Sequence, residues 1–213
     1  MISLKNISKS FSGKLIFDKA NLEIKAGNNF ILTGPNGSGK TTLLMILKNL
    51  YLIDSGTYSI DSQILNQSSI SYISKKNKSF FMRLSVKQNI EFFYNLCVNE
   101  NKLSIDEIYN MLKKFGLFDS LNKEFMTLSS GQAQKLSIIR GLMKNPTLSL
   151  FDESFSSLDE NSKHIFKEIY DCYLGNDSSK STIWVTHNKS EIDFKNKKFI
   201  KIFDRKICHE DAF

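Results

Sequence analysis

Apolar and polar positions alternate in short runs along the first thirty residues. The runs at residues 2–7, 15–17 and 22–24 favour half-buried strands, and Gly13 and Gly27 mark turns beside them. This part of the chain is therefore expected to form antiparallel strands.

From residue 29 onward, predicted strands alternate with predicted helices. A helix is expected over residues 40–50, because Leu43, Ile46, Leu47 and Leu50 recur at helical spacing. The alternation favours an α/β fold with a mostly parallel sheet, in which ligands bind at the carboxyl ends of the strands. The predicted strands are residues 29–33, 57–60, 70–73, 148–152 and 182–186, followed by a hairpin over residues 199–209.

A helical segment interrupts this alternation at about residues 75–125. Ser85 with Gln88, and Ser104 with Glu107, have the spacing of capping boxes, in which the serine and the residue three positions later bond each other's backbone amides. Each pair precedes an amphipathic run. We predict a helical subdomain inserted into a single domain that spans residues 1–213.

Composition narrows the class of protein. The formal net charge is +7 at pH 7, but only three of the 29 basic residues are arginines, and arginine is the residue suited to bidentate recognition of bases and phosphates. The scarcity of arginine argues against specific nucleic-acid binding. Three scattered cysteines without CxxC spacing suggest reduced thiols, and no apolar run is long enough for a signal peptide or a membrane span. A cytoplasmic location is expected.

A glycine-rich segment follows the strand predicted at residues 29–33 and opens the next helix. It matches G-x-x-x-x-G-K-[ST], in which backbone amides cradle phosphate, the lysine reaches the β- and γ-phosphates, and the hydroxyl ligates Mg²⁺. The alternative is a fortuitous glycine-rich turn, which the flanking strand and helix disfavour. The candidate nucleotide-binding residues are Gly34, Pro35, Asn36, Gly37, Ser38, Gly39, Lys40, Thr41 and Thr42.

Two carboxylates end the apolar strand predicted at residues 148–152. Their order favours Asp152 as a second Mg²⁺ contact beside Thr41, and Glu153 as the general base that activates water. A strand end that merely solvates its acids is the alternative, and the glycine loop elsewhere in the chain makes it the weaker one.

Two further features point to a site shared between chains. The small polar turn formed by Ser129, Ser130, Gly131 and Gln132 resembles a second phosphate-binding nest, which one nucleotide at Lys40 does not need. A sandwich of two chains uses it if each nest closes over the other chain's nucleotide. His187, after the strand predicted at residues 182–186, is a candidate for bonding the γ-phosphate or orienting water, although a lone histidine is often structural.

The motifs together resemble those of ATP-binding cassette (ABC) ATPases, and the resemblance covers nearly the whole chain in family order. It implies a RecA-like P-loop core, an antiparallel β subdomain and a helical subdomain, with ATP and Mg²⁺ bound. By resemblance, the glycine loop is Walker A, residues 148–153 are Walker B and residues 128–132 are the signature loop. It also implies adenine stacking on Phe11, a D-loop at residues 157–159 with Asp159 in the nucleotide site, and a switch role for His187.

Three positions depart from the family pattern. Ser130 replaces the first glycine of the commonest signature, and Ser154 stands where proline usually follows the glutamate. Lys75 occupies the position of the Q-loop glutamine, and Gln67 and Gln88 are poorly placed to substitute. A lysine ammonium only donates hydrogen bonds, so it cannot ligate Mg²⁺ while charged.

The resemblance implies a transport ATPase that dimerises with a second, identical or different, cassette. It would drive an integral membrane subunit from the cytoplasmic face of the membrane, with partners docking between the helical subdomain and the core near Phe80, Phe81 and Met82. Similarity to short export cassettes, including haem exporters, favours export. The alternatives are a soluble ABC ATPase acting on nucleic acid or ribosomes, and a P-loop GTPase or kinase.

Overall fold

The computed structural model describes residues 2–61, 69–75, 79–97, 101–186 and 197–210. Two sheets form its framework. An antiparallel sheet has the strand order β2-β1-β4, and a six-stranded sheet has the order β5-β6-β7-β3-β8-β9. The strands are β1 (Ile2–Phe11), β2 (Lys14–Ile24), β3 (Asn29–Thr33), β4 (Ser55–Ile60), β5 (Ile70–Ser74), β6 (Leu148–Asp152), β7 (Ser181–Val185), β8 (Lys197–Phe203) and β9 (Lys206–Glu210).

The large sheet is parallel from β5 to β8, and β9 adds an antiparallel edge by pairing with β8. The predicted mostly parallel sheet and the C-terminal hairpin are therefore confirmed. Ser74 of β5 and Val185 of β7 both pair with Asp152 of β6. This register brings the ends of three strands to one edge of the sheet.

Helices connect and cover the strands. Ser85 and Ser104 each form the predicted capping box, with Gln88 and Glu107 respectively, so both predicted starts are confirmed. These boxes matter because the first amides of a helix have no partner within it. The helices are α1 (Lys40–Leu47), α2 (Val86–Asn95), α3 (Ile105–Lys114), α4 (Ser130–Leu142) and α5 (Glu160–Tyr170).

The six-stranded sheet separates two hydrophobic cores. Side chains of successive strand residues point to opposite faces, so Phe30 and Leu32 enter the core shared with the antiparallel sheet and α1, whereas Ile31 enters the core under the other helices. Burial on both faces explains why these strands are continuous apolar runs.

Two predicted boundaries are wrong. The helix predicted over residues 40–50 ends at Leu47, and Leu50 is 63% exposed instead of lying on the buried face. Asn49 adopts a left-handed conformation (φ 58°), and the Leu50 amide bonds back to the Met45 carbonyl, which terminates the helix. At the N-terminus, the separate runs at residues 15–17 and 22–24 belong to one strand, β2.

Candidate functional site

The glycine loop lies between the end of β3 and the start of α1. Gly39, with φ 104°, has no space for a side chain, because a Cβ atom there would lie 2.6 Å from Cγ2 of Ile16. The hydroxyl of Ser38 is buried inside the loop and has no hydrogen-bond partner among the described residues. A buried unpaired hydroxyl is costly unless a ligand can use it, so this interior fits a polar group such as phosphate.

The Lys40 side chain folds over the loop, and the residue is buried, with 8% of its surface exposed. Its Nζ donates to the backbone carbonyls of Gly34 and Pro35, at 2.8 and 2.9 Å. A buried ammonium needs polar partners because desolvation disfavours its charge. The sequence therefore places one cation and several backbone amides at the amino-terminal end of α1.

Thr41 and Asp152 meet across the sheet although 111 positions separate them. Thr41 Oγ1 donates to Asp152 Oδ2 over 2.9 Å, and the hydroxyl of Tyr72 donates to the same oxygen over 2.8 Å. Burial, followed by the charge of Asp152, raises the pKa of Tyr72, so the phenol stays protonated as a donor. Hydroxyl and carboxylate oxygens are the ligands that Mg²⁺ prefers.

The turn after β6 is fixed by its neighbours. Glu153 has φ 52°, and its amide donates to the carbonyl of Val185 at 3.0 Å. Ser154 is buried, and its hydroxyl donates to the carbonyl of Ile73 over 2.7 Å. The serine that replaces the family's proline thus links the turn to β5. The Lys75 amide adds a second link, donating to the Asp152 carbonyl at 3.1 Å, while its side chain is exposed.

The turn of Ser129 to Gln132 is the start of α4. Ser129 is the N-cap, its Oγ accepts from the Gln132 amide at 3.2 Å, and the Gln132 side chain accepts from the Ser129 amide at 3.0 Å. This third capping box, visible in the sequence as S-x-x-Q, leaves the amides of Ser130 and Gly131 as the first helical donors. The candidate phosphate-binding nest therefore has fewer available amides than the sequence predicted, because those of Ser129 and Gln132 are used in the capping box.

Asp159 is also a helix cap. Its Oδ1 accepts from the Ser162 amide at 2.7 Å at the start of α5, and this hydrogen bonding holds the pKa of Asp159 below its usual value. A Cβ atom at Gly131 would lie 3.1 Å from the Ser157 carbonyl, so the start of α4 and the segment before α5 are adjacent. Two polar helix starts thus share one region of the surface.

Phe11 ends β1 as a partly exposed ring. Its edge-to-face partner is Tyr51, with ring centroids 5.3 Å apart, and the Lys9 ammonium lies 4.9 Å from its centroid. Tyr51 was missed by the sequence analysis, which singled out Phe11 alone. An aromatic pair with an exposed face offers a stacking surface for a flat apolar ring system.

His187 lies outside the described residues, as does Gln67. Sequence reasoning also missed Tyr72, although the alternation of side chains along a strand indicates which face of the sheet it lies on. In the parallel pairing, Tyr72 lies opposite Leu150 of β6, whose side chain belongs to the core that also contains α1, the helix of Thr41.

Comparison with known proteins bears directly on this site. The family model described as ABC transporter matches residues 17–156, which includes the glycine loop, the start of α4 and the acidic pair. The chain belongs to the ABC transporter ATP-binding family. It is therefore an ABC-type ATPase subunit that binds ATP, and its α/β architecture is that of the ABC ATPase fold. The P-loop GTPase and kinase alternatives are accordingly wrong.

Several curated relatives align along most of this cassette. The ergothioneine transport ATP-binding protein EgtV of Helicobacter pylori is 33% identical, over 90% of the cassette and 92% of the relative. The probable iron export ATP-binding protein FetA of Escherichia coli is 31% identical, over 92% and 89%. The spermidine/putrescine import ATP-binding protein PotA of Fusobacterium nucleatum is 33% identical over 89% of the cassette, but only 51% of PotA is covered.

Within the part of the cassette that the structure describes, every helix is too short or too polar to serve as a membrane span.

Proposed function

We propose that the cassette hydrolyses Mg²⁺–ATP between two head-to-tail copies and so drives a separate membrane subunit. The contact between Thr41 and Asp152 carries the proposal, since it joins the glycine loop to the acidic strand end. The backbone N–H groups of the loop at residues 34–42, where Pro35 has none, and the Lys40 ammonium hold the phosphates, and Thr41 with Asp152 hold the metal. Glu153 accepts a proton from the attacking water.

The donor set fits Mg²⁺ better than a metal that needs a protein cage. No group of three or more His, Cys, Asp or Glu side chains capable of holding a metal occurs among the described residues. Mg²⁺ is commonly bound by one or two protein oxygens together with substrate phosphates and water. When bound, it supplies positive charge that neutralises the developing charge on the transferred phosphoryl group.

The remaining site residues are assigned to adenine, to the γ-phosphate and to the interface between the two copies. Phe11, with Tyr51 beside it, stacks on adenine. The amides at the start of α4, with Ser129 and Asp159 near them, face the nucleotide of the second copy, which is either an identical chain or a related cassette. His187, proposed to orient the γ-phosphate or the water, lies outside the described residues.

Transport is favoured over action on nucleic acid because the three relatives above are all named for transport. One is named for import and one for export, so the predicted export direction stays a prediction. We place the cassette on the cytoplasmic face of a membrane, held there by its partner.

A cleft beside the helical segment is the proposed docking surface. Its volume is about 300 Å³, and Lys48, Arg140 and Lys144 line it, whereas none of its described lining residues is acidic. These three cations make the cleft electropositive, and burial, with the Lys144 charge beside it, lowers the pKa of Lys48 to about 8. An entering carboxylate would relieve this repulsion.

Apolar side chains accompany these cations. Phe81, Met82, Phe92 and Leu96 are 40–58% exposed, while the neighbouring Phe80 is buried, so the predicted docking segment at residues 80–82 divides between core and surface. Leu96 also lines the cleft. The complementary partner segment is one whose carboxylate enters the cleft and whose apolar residues cover Phe81 and Met82.

Copurification tests the transport assignment. Affinity-tagged cassette from detergent-solubilised membranes is expected to recover an integral membrane protein. Lys144→Glu should reduce that recovery roughly tenfold, because a repelled carboxylate costs at least 1.4 kcal/mol at a desolvated contact. Lys5→Glu, the same charge change at an exposed position of β1, should not. Recovery of no membrane protein by the wild type would contradict the transport role, and equal recovery by both variants would contradict only the docking surface.

Lys75 supplies a separate prediction about the metal. If its ammonium donates to the γ-phosphate, Lys75→Gln should weaken ATP binding modestly and make hydrolysis depend more steeply on Mg²⁺ concentration, because metal must replace the lost charge. Lys5→Gln is the matched control. ATP affinity and turnover are measured across a Mg²⁺ titration. Superimposable curves for wild type and Lys75→Gln would place the ammonium outside the site, as its exposure permits.

A further inference from the structure

Tyr72 contacts Asp152, one of the two residues to which the preceding section assigns the metal. It is a half-buried residue of β5, and its hydroxyl donates to Asp152 Oδ2 over 2.8 Å. Thr41 donates to that same oxygen over 2.9 Å. Asp152 Oδ2 therefore accepts two hydrogen bonds, one from the glycine-loop helix and one from the neighbouring strand.

This arrangement restricts the carboxylate of Asp152. A carboxylate oxygen has about two acceptor positions, so both positions on Oδ2 are used by the two hydroxyls. Oδ1 receives no hydrogen bond from the described residues, and it is the oxygen left to face a cation or its water. Rotation of the carboxylate would break both bonds to Oδ2 together.

The two hydroxyls are not equivalent. Thr41 has two roles in the proposed site, because its hydroxyl donates to Asp152 and its oxygen would also be a ligand of Mg²⁺. Tyr72 has a single role in the proposed site, which is to donate to Asp152. Its ring packs against the core that contains Leu43 and Leu150. A ring held by packing fixes the position of its hydroxyl, which is therefore suited to orienting Asp152.

We propose that Tyr72 is a positioning residue for Mg²⁺ binding. By holding Oδ2 of Asp152, Tyr72 orients the carboxylate so that Oδ1 is left to face the metal. The inference rests on the proposed metal site. Residues that hydrogen-bond a metal-ligating carboxylate fix its orientation, and their loss typically lowers metal affinity about 10–100-fold.

Tyr58 provides a matched control. It is also a half-buried tyrosine with a bonded hydroxyl, which donates to the Leu47 carbonyl over 2.7 Å, and it packs against the same core. Tyr58→Phe therefore removes a hydroxyl and one hydrogen bond from a comparable environment, without touching Asp152. Both variants keep the aromatic ring, and thermal melts in EDTA report whether they fold.

The experiment measures metal binding without turnover. Mn²⁺ is titrated into the ADP complex of each protein, and free Mn²⁺ is followed by electron paramagnetic resonance. Tyr72→Phe is expected to weaken Mn²⁺ binding about tenfold, with nucleotide affinity in EDTA unchanged, while Tyr58→Phe leaves both unchanged. Adding Tyr72→Phe to Asp152→Asn should weaken Mn²⁺ binding no further, because the hydroxyl acts through the carboxylate.

Each other outcome has a definite meaning. Equal Mn²⁺ affinity for wild type and Tyr72→Phe overturns the proposal, as does an equal loss in both tyrosine variants, which would indicate a general effect of packing. If Asp152→Asn alone leaves Mn²⁺ affinity unchanged, the metal site itself is wrong, and that failure is distinct from failure of Tyr72.

Discussion

Glu153→Gln is expected to lower ATP hydrolysis by about 10²–10⁴-fold, the typical contribution of a positioned general base. The amide of glutamine cannot accept a proton from water, but it has nearly the same size and hydrogen-bonding reach. The backbone bond from residue 153 to the Val185 carbonyl does not involve the side chain, so the turn should persist. ATP binding should therefore be retained.

The same variant should trap the closed state. When ATP binds but is not consumed, two copies remain joined, and Glu153→Gln should elute as a dimer with ATP and as a monomer without it. Glu23→Gln, an exposed position on β2, is the matched control and should behave as wild type. Wild-type turnover by Glu153→Gln would exclude Glu153 as the base.

Local sequence signals predicted the parts of this site that are continuous in the chain. The glycine loop and the capping boxes at Ser85 and Ser104 depend on residues a few positions apart, so spacing alone identifies them. The end of α1 was also a local feature, but Asn49 as a left-handed terminator was overlooked in favour of the apolar period that runs on to Leu50.

Contacts between elements that are distant in the chain could not be predicted from local motifs. The bond between Ser154 and the Ile73 carbonyl depends on β5 lying beside β6, and the order of strands in a sheet is not written in any short motif. The antiparallel sheet shows a related limit. Irregular pairing between β1 and β2, together with the left-handed Lys19 (φ 47°), bends one long strand, and the sequence pattern therefore breaks into two runs.

Tyr72 shows how much the alternation of side chains along a strand could have predicted. An alternating strand next to β6 must direct half of its side chains towards α1, and a tyrosine two residues before the strand end would then lie near the acidic pair. The pattern could predict that proximity only once the neighbour of β5 was known. The hydrogen bond from Tyr72 to Asp152 Oδ2 is evident only in the three-dimensional structure.

The second large expected effect is on ATP hydrolysis and depends on the proposed pairing of two copies of the cassette. In a head-to-tail sandwich, each site combines Lys40 of one chain with Ser129 of the other. Lys40→Ala should abolish hydrolysis by removing the phosphate-binding ammonium, and Ser129→Arg should abolish it by placing a bulky side chain at the start of α4. Each variant alone puts its lesion in both sites of its dimer.

Mixing the two variants should restore activity. A dimer of one Lys40→Ala chain and one Ser129→Arg chain carries both lesions in one site and neither in the other. With random pairing and independent sites, an equal mixture should regain about a quarter of wild-type turnover, measured as phosphate release at saturating ATP. Such complementation cannot arise in a monomer, since neither variant has an intact site of its own.

The Ser129 substitution needs a control because it also removes a helix cap, at a cost of about 1 kcal/mol. Ser85 forms the same Ser–Gln capping box at the start of α2, so Ser85→Arg loses an equivalent cap away from the proposed interface. Ser85→Arg should retain hydrolysis, whereas Ser129→Arg should not. Full turnover by Ser129→Arg or Lys40→Ala as a strict monomer would contradict the sandwich, because the nucleotide would then need only one chain.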